Sequence, residues 1–204
     1  MMSKLYDKSQ LMELVELLNK GGIVAFPTDT VYGIACRYDC IEALEKLKRV
    51  KGREESKPIP FMCSSLEDIL KVAMIKEQDL KIIQQLMPGA LTIVAQKRPE
   101  VLPYITNGLD TIGIRIPDDP FVLRLITEVN VPLLVSSANQ SGLPAALTHQ
   151  EVIEQLGDGV DGIVKGISGL QMASTIVDLT DGYNILRQGP ITKEMILHCL
   201  KEEV

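Results

Sequence analysis

Residues 9–27, Ser-Gln-Leu-Met-Glu-Leu-Val-Glu-Leu-Leu-Asn-Lys-Gly-Gly-Ile-Val-Ala-Phe-Pro, read as a helix running straight into a buried strand. Leu11, Leu14, Val15 and Leu18 recur at helical spacing and give one apolar face. Gly21 supplies the stop, because a glycine just past the last turn adopts the left-handed conformation without strain. Gly22 to Phe26 is then a short apolar run closed by Pro27, which cannot continue a ladder. Working outward, the alternation persists. Asp39 with Glu42 resembles a capping box and predicts a helix to about Arg49. Ile59 to Cys63 reads as a strand, Ser64 to Glu67 as the start of a helix, and Glu77 to Met87 as a helix stopped by Pro88-Gly89. Ala90 to Gln96 reads as a strand. The second half predicts strands at Thr111–Ile116, Pro132–Val135, Gly162–Val164, Thr175–Leu179 and Ile185–Leu186. Helices are expected at Asp119–Glu128, from Thr148 to Leu156, and from Thr192 onward. Interleaved helices and strands define the α/β class, and the crowded late strands predict a mixed sheet. With no repeat, low-complexity tract or linker in view, residues 1–204 are expected to form a single domain.

The 204 residues carry 21 Lys+Arg against 27 Asp+Glu, a formal charge of −6, with 46% hydrophobic and 24% charged residues. This composition excludes disordered, collagen-like and coiled-coil classes. No apolar run reaches the roughly 20 residues that span a bilayer. The N-terminus lacks a signal-peptide core, and the four scattered cysteines are no disulfide framework, so a cytoplasmic setting without membrane contact is expected. Two histidines and no paired C-x-x-C argue against zinc. The acidic balance argues against non-specific coating of nucleic acid.

Several motifs need weighing. Gly157-Asp158-Gly159-Val160-Asp161-Gly162 matches G-x-G-x-x-G, but it follows a helix and precedes a strand, the reverse of a dinucleotide fingerprint. It is expected to be a turn. Lys46, Lys48, Arg49, Lys51, Arg53 and Lys57 form a basic cluster, opposed between them only by Glu54 and Glu55. Lys51, Arg53 and Lys57 fall past the expected helix end and are read as loop cations converging on a polyanion. Two hydroxyl-rich segments leave apolar strands: Pro27-Thr28-Asp29-Thr30-Val31-Tyr32-Gly33 and Val135-Ser136-Ser137-Ala138-Asn139-Gln140-Ser141-Gly142. Loops beyond strand ends are where ligands bind in open α/β sheets. Arg115 sits inside an apolar strand, where a buried guanidinium needs an anionic partner, and Arg187 repeats that pattern. Cations and small hydrogen-bonding groups without an evident general base suit phosphoryl or nucleotidyl chemistry by charge neutralisation and positioning.

The set PTDTVYG, K-x-R-x-x-x-K-P, the PG-x-x-T of Pro88 to Thr92, G-x-R-x-P, S-x-N-x-S-G, STIVDLT and LRQG resembles the YrdC-like family over about residues 10–190. The resemblance implies an α/β domain with a twisted mixed β-sheet flanked by helices and a large concave binding surface. The family's best-known activity joins L-threonine, bicarbonate and ATP into threonylcarbamoyl-AMP, with release of pyrophosphate, for threonylcarbamoyladenosine in tRNA. Carried over residue by residue, it implies a catalytic set of Lys51, Arg53, Ser137 and Asn139. It implies ATP contacts from Arg53, Lys57, Thr111, Asn139 and Arg187, and threonine contacts from Thr30, Arg115, Ser137 and Ser174. Mg²⁺ is expected to arrive with ATP rather than in a carboxylate cage, and no dedicated metal ligands are assigned. Implied partners are a downstream tRNA threonylcarbamoyl transferase complex and, in some relatives, double-stranded RNA or tRNA. Met62 stands where many members carry a histidine, and Leu147 where many carry a hydroxyl, with Thr148 either a substitute or a helix cap. Phe61 to Leu66 resembles the YciO-like branch, whose alternative role is RNA binding without synthase activity, whereas Ser137-Ala138-Asn139 resembles the synthases.

Overall fold

The computed structural model describes residues 3–52 and 58–201. In chain order these residues form β1 (Lys4–Tyr6), α1 (Leu11–Asn19), β2 (Val24–Phe26), β3 (Gly33–Arg37), α2 (Ile41–Lys51), β4 (Phe61–Met62), α3 (Leu66–Val72), β5 (Ala73–Met74) and α4 (Glu77–Leu86). There follow β6 (Leu91–Lys97), β7 (Thr111–Arg115), α5 (Pro120–Val129), β8 (Leu133–Ser137), α6 (His149–Leu156), β9 (Gly162–Val164), β10 (Thr175–Asp178), β11 (Asn184–Arg187) and α7 (Lys193–Lys201). The strands make one mixed sheet in the order β1-β9-β2-β3-β8-β4-β7-β6-β10-β11, with β5 pairing on β6. The Gly157–Gly159 segment is a 3-10 turn between α6 and β9, as the order of its neighbours requires. No helix among the described residues is long and apolar enough to cross a membrane.

Three strands escape a reading by periodicity: β1, β3 and β5. β3 hides because its apolar residues directly follow a hydroxyl-rich turn, yet its pairing with β2 and β8 builds the centre of the sheet. Gly33 allows this, since a Cβ there would come within 2.8 Å of Val135 Cγ1. The start of α2 also differs from expectation. Cys40, not Asp39, is its N-cap, and the Asp39 carboxylate instead accepts two hydrogen bonds from Arg37, at 2.9 and 2.7 Å. At the other end α2 continues to Lys51 and stops at Gly52 in the left-handed region, φ 56°. Two further helical residues carry Lys51 out of the loop and into the interior.

Alternation along the strands divides the core between two faces. On one face α1 and α5 pack over β2, β3 and β8 through Leu14, Leu18, Val122 and Leu125. On the other, Leu44, Leu47, Ile69, Ile82, Val152 and Ile196 from α2, α3, α4, α6 and α7 cover the inward side chains Ile93, Ile114 and Val177. Where strands β4, β7, β6, β10 and β11 extend past α1 and α5, the first face carries polar side chains. That stretch holds the site.

Candidate active site

Strand register assembles a row of side chains on this face. Met62 pairs with Arg115, and the Ile93–Ile114 pair sets Arg115 beside Thr92. Thr92 then pairs with Ile176, and Ile176 with Arg187. Residues opposite one another in a ladder point to the same side, so five strands present one continuous surface. The Thr28–Tyr32 loop after β2 and the Ser137–Leu143 loop after β8 rise beside this row. Together they enclose a cavity of about 400 Å³ lined by Thr28, Thr30, Met62, Thr92, Arg115, Ser137, Asn139, Ser174 and Arg187, among others. None of the described residues in its wall is acidic, and none is a histidine.

Arg115 is the most constrained group. Its guanidinium is buried and donates to Asp29 Oδ2 at 2.5 Å, to Thr30 Oγ1 at 2.7 Å and to the Gly89 carbonyl at 2.9 Å. Burial lowers its pKa from the usual arginine value, and the Asp29 charge pulls in the opposite direction. Arg187, by contrast, is exposed and donates from Nε to the Ser174 carbonyl at 3.0 Å and from Nη2 to Ser174 Oγ at 3.1 Å. Among the described residues no carboxylate pairs with it. Ser174 Oγ also shares a 2.8 Å hydrogen bond with Thr92 Oγ1. The Ser137 hydroxyl has no hydrogen-bond partner among the described residues and stands in the wall. Among the described residues the cavity thus offers one compensated cation, one uncompensated cation and several orientable hydroxyls, an arrangement that receives anions and positions polar substrates.

The residues picked from sequence sort into distinct places. Thr30, Arg115, Ser137, Asn139, Ser174 and Arg187 meet on the one wall. Lys51 lies behind it. Its side chain is 1% exposed, and its ammonium donates to the Ser137 carbonyl, to the Asn139 carbonyl at 2.7 Å and to Asn139 Oδ1 at 3.4 Å. The expected loop cation is therefore an internal strut of the Ser137–Asn139 turn. Asn139 in turn commits its amide to the Gln140 and Leu143 carbonyls, each at 2.9 Å, and so shapes the loop. Thr111 shares the face of Arg115 but begins the same strand, about 13 Å away at strand spacing, outside the cavity wall. Arg53 and Lys57 lie outside the described residues.

The expected convergence of the basic cluster is not found in its described members. Lys46 pairs with Asp161, and Lys48 meets Glu45, Asn107 and the Tyr104 ring. Successive helical positions point in different directions, so cations spread along α2 cannot share one ligand. Thr148 caps α6 by accepting the Glu151 amide at 3.3 Å, the second of its two expected roles. Sequence reasoning passed over Asp29 as a turn residue. The signal was available: a buried strand arginine demands a carboxylate, and Asp29 is the acid inside the hydroxyl-rich loop.

Comparison with known proteins agrees with this architecture. Threonylcarbamoyl-AMP synthase of Bacillus subtilis (strain 168) is 37% identical over 193 residues, covering 92% of this chain and 55% of that protein. The protein of the same name from Enterobacter sp. (strain 638) is 30% identical over 191 residues, covering 92% of this chain and 100% of its own length. The chain thus spans about half of the first relative and the whole of the second. Among solved structures, the crystal structure of P. abyssi Sua5 complexed with L-threonine superposes with a TM-score of 0.90 at 29% identity, covering 98% of this chain and 61% of that one. The family model Sua5_yciO_yrdC, described as "Telomere recombination", matches residues 16–189. With that match spread over the strands, loops and arginines that build the cavity, the chain belongs to the Sua5/YciO/YrdC family.

Proposed function

We propose that this chain is an L-threonylcarbamoyladenylate synthase, an enzyme of the nucleotidyltransferase class. The observation that carries the reading is the pairing, in one cavity, of Arg187, which no carboxylate of the described residues pairs, with a polar subsite of Thr30, Arg115, Ser137 and Ser174. ATP places its phosphates toward Arg187, with Arg53 and Lys57 as further cations, and Thr111 reaches the nucleotide beyond the cavity wall. L-threonine sits at Thr30, Arg115 and Ser174. Its amine attacks the bicarbonate carbon and water leaves, giving a carbamate. A carbamate oxygen then attacks the α-phosphorus, and pyrophosphate departs with the pair of electrons from the broken P–O bond. Ser137, which Lys51 and Asn139 hold in place, donates toward the reacting oxygens. Mg²⁺ enters as part of the nucleotide substrate, since phosphates supply its ligands where no carboxylate of the described residues lines the wall. The product is a mixed anhydride prone to hydrolysis, so a tRNA threonylcarbamoyl transferase complex follows it, and tRNA or double-stranded RNA is a further partner of the concave surface.

The test is pyrophosphate release from ATP and Mg²⁺ with and without L-threonine and bicarbonate, and mass spectrometry of the mixture for threonylcarbamoyl-adenylate. Release that depends on both co-substrates is the expected result. ATP binding without turnover, together with salt-sensitive RNA retention, would replace this reading by the YciO-like one, with Met62 as the substitution to examine first.

A further inference from the structure

The chain of groups around Arg115 has a fixed hydrogen-bond direction. Thr28 Oγ1 donates to the Val31 carbonyl at 2.8 Å, so its oxygen can only accept from the Thr30 amide at 3.1 Å and the Thr30 hydroxyl at 3.0 Å. The Thr30 proton is thereby spent on Thr28. Its oxygen accepts from Arg115 Nη1 and keeps one lone pair for the cavity. At the end of this chain stands Asp29. Its side chain is 12% exposed, one oxygen takes Arg115 Nη2 at 2.5 Å, and the other, Oδ1, is buried without a hydrogen-bond partner. A buried carboxylate with an unmet oxygen is costly, and the fold holds it there from the opposite side. The amides of Gly169, Leu170 and Gln171 donate to the carbonyls of Thr28, Asp29 and Thr30 at 3.0, 2.7 and 2.9 Å. The strap fits closely enough that a Cβ at Gly169 would stand 2.6 Å from the Asp29 carbonyl oxygen.

We infer that Asp29 is a positioning residue. It does not line the cavity; it neutralises Arg115 and fixes its guanidinium, so that Arg115 and Thr30 present a preset donor and acceptor to the amino-acid substrate, while Arg187 pairs with no carboxylate of the described residues. The inference rests on the proposed reading for the identity of that substrate, and its geometric half stands without it.

Two measurements on the full chain separate these halves. Side-chain ¹⁵N NMR of arginine reads rotation of the guanidinium directly. In the wild type the Arg115 Nη resonances, identified by their loss in Arg115→Lys, are expected to be resolved by slow rotation. They persist in Asp29→Asn, which keeps an acceptor, and collapse in Asp29→Ala, with Asp29→Ser as its replacement if the alanine variant unfolds. Calorimetric titration then gives the dissociation constants of L-threonine and ATP. Loss of a charge-assisted anchor is expected to weaken L-threonine about tenfold or more in Asp29→Ala while ATP changes less than about twofold. Equal weakening of both ligands, or Arg115 resonances unchanged by Asp29→Ala, would overturn the inference. Resolved and Asp29-dependent resonances in a wild type that binds no L-threonine would uphold the positioning role and refute the substrate.

Discussion

Replacing Lys51 by alanine removes the one ammonium that holds three oxygens of a single turn: the Ser137 carbonyl, the Asn139 carbonyl and Asn139 Oδ1. All three acceptors face a side chain that is 1% exposed, so water replaces the lost donor only through the cavity the truncation opens. The Ser137 carbonyl keeps the Asn139 amide at 3.0 Å, so among the described residues the two oxygens of Asn139 are the ones that lose their donor. A buried acceptor left without a partner costs about 1–3 kcal/mol, which for two oxygens with partial rehydration is on the order of 2 kcal/mol. For a chain of this size that corresponds to a fall in Tm of about 4–8 °C. Because the same oxygens belong to the turn that carries the Ser137 hydroxyl into the cavity, pyrophosphate release should fall with stability. Lys51→Met keeps the aliphatic stem and removes only the charge, so it should lose nearly as much. Differential scanning calorimetry of the three proteins, paired with the turnover assay, reads both consequences. A Lys51→Ala protein that melts within about 2 °C of the wild type would refute the strut. A fully stable Lys51→Met would show that stem packing, not the ammonium, does the work.

Other outcomes follow from the same geometry. Arg187→Ala should leave Tm nearly unchanged, since the residue is exposed and among the described residues its guanidinium bonds only Ser174, yet weaken nucleotide or pyrophosphate binding about tenfold and flatten its salt dependence. Isothermal titration at two salt concentrations checks this, and unchanged affinity would remove Arg187 from the anion site. Of the four cysteines, Cys36, Cys63 and Cys199 are buried and Cys40 is partly accessible. Alkylation of the native chain should therefore stop near one equivalent and reach four only after denaturation. Burial pushes the Cys36 thiol up to about 12 and raises Cys63 as well. The folded state keeps these protons above pH 9, where the unfolded thiols ionise, so stability should fall by about 1.4 kcal/mol per pH unit for each. Urea melts on either side of that pH should show a shallower loss for Cys36→Ala, and an identical slope would exclude the thiol as its source.

Part of the cavity wall (Thr30, Arg115, Ser137, Asn139, Ser174 and Arg187) was legible in the sequence because it is written in local chemistry, whereas Lys51 and Thr111 lie outside that wall. Hydroxyls following apolar strands, an arginine inside the Thr111–Ile116 run and another directly after Ile185–Leu186 all break a pattern that the core alone would keep. The helical period was likewise readable over Leu11–Asn19, since burial on one face enforces it, whereas Leu91–Lys97, buried on both faces along most of its length, was readable as a run after the Pro88-Gly89 stop. Partnership was not legible. That Asp29 reaches Arg115 across 86 positions, and that Lys51 reaches Asn139 across 88, depends on strand order and on where α2 ends. Composition gives Lys51 and Arg187 the same charge. Only the tertiary structure buries the first among carbonyls and leaves the second open, because burial is set by which elements cover a position and not by the residue that occupies it.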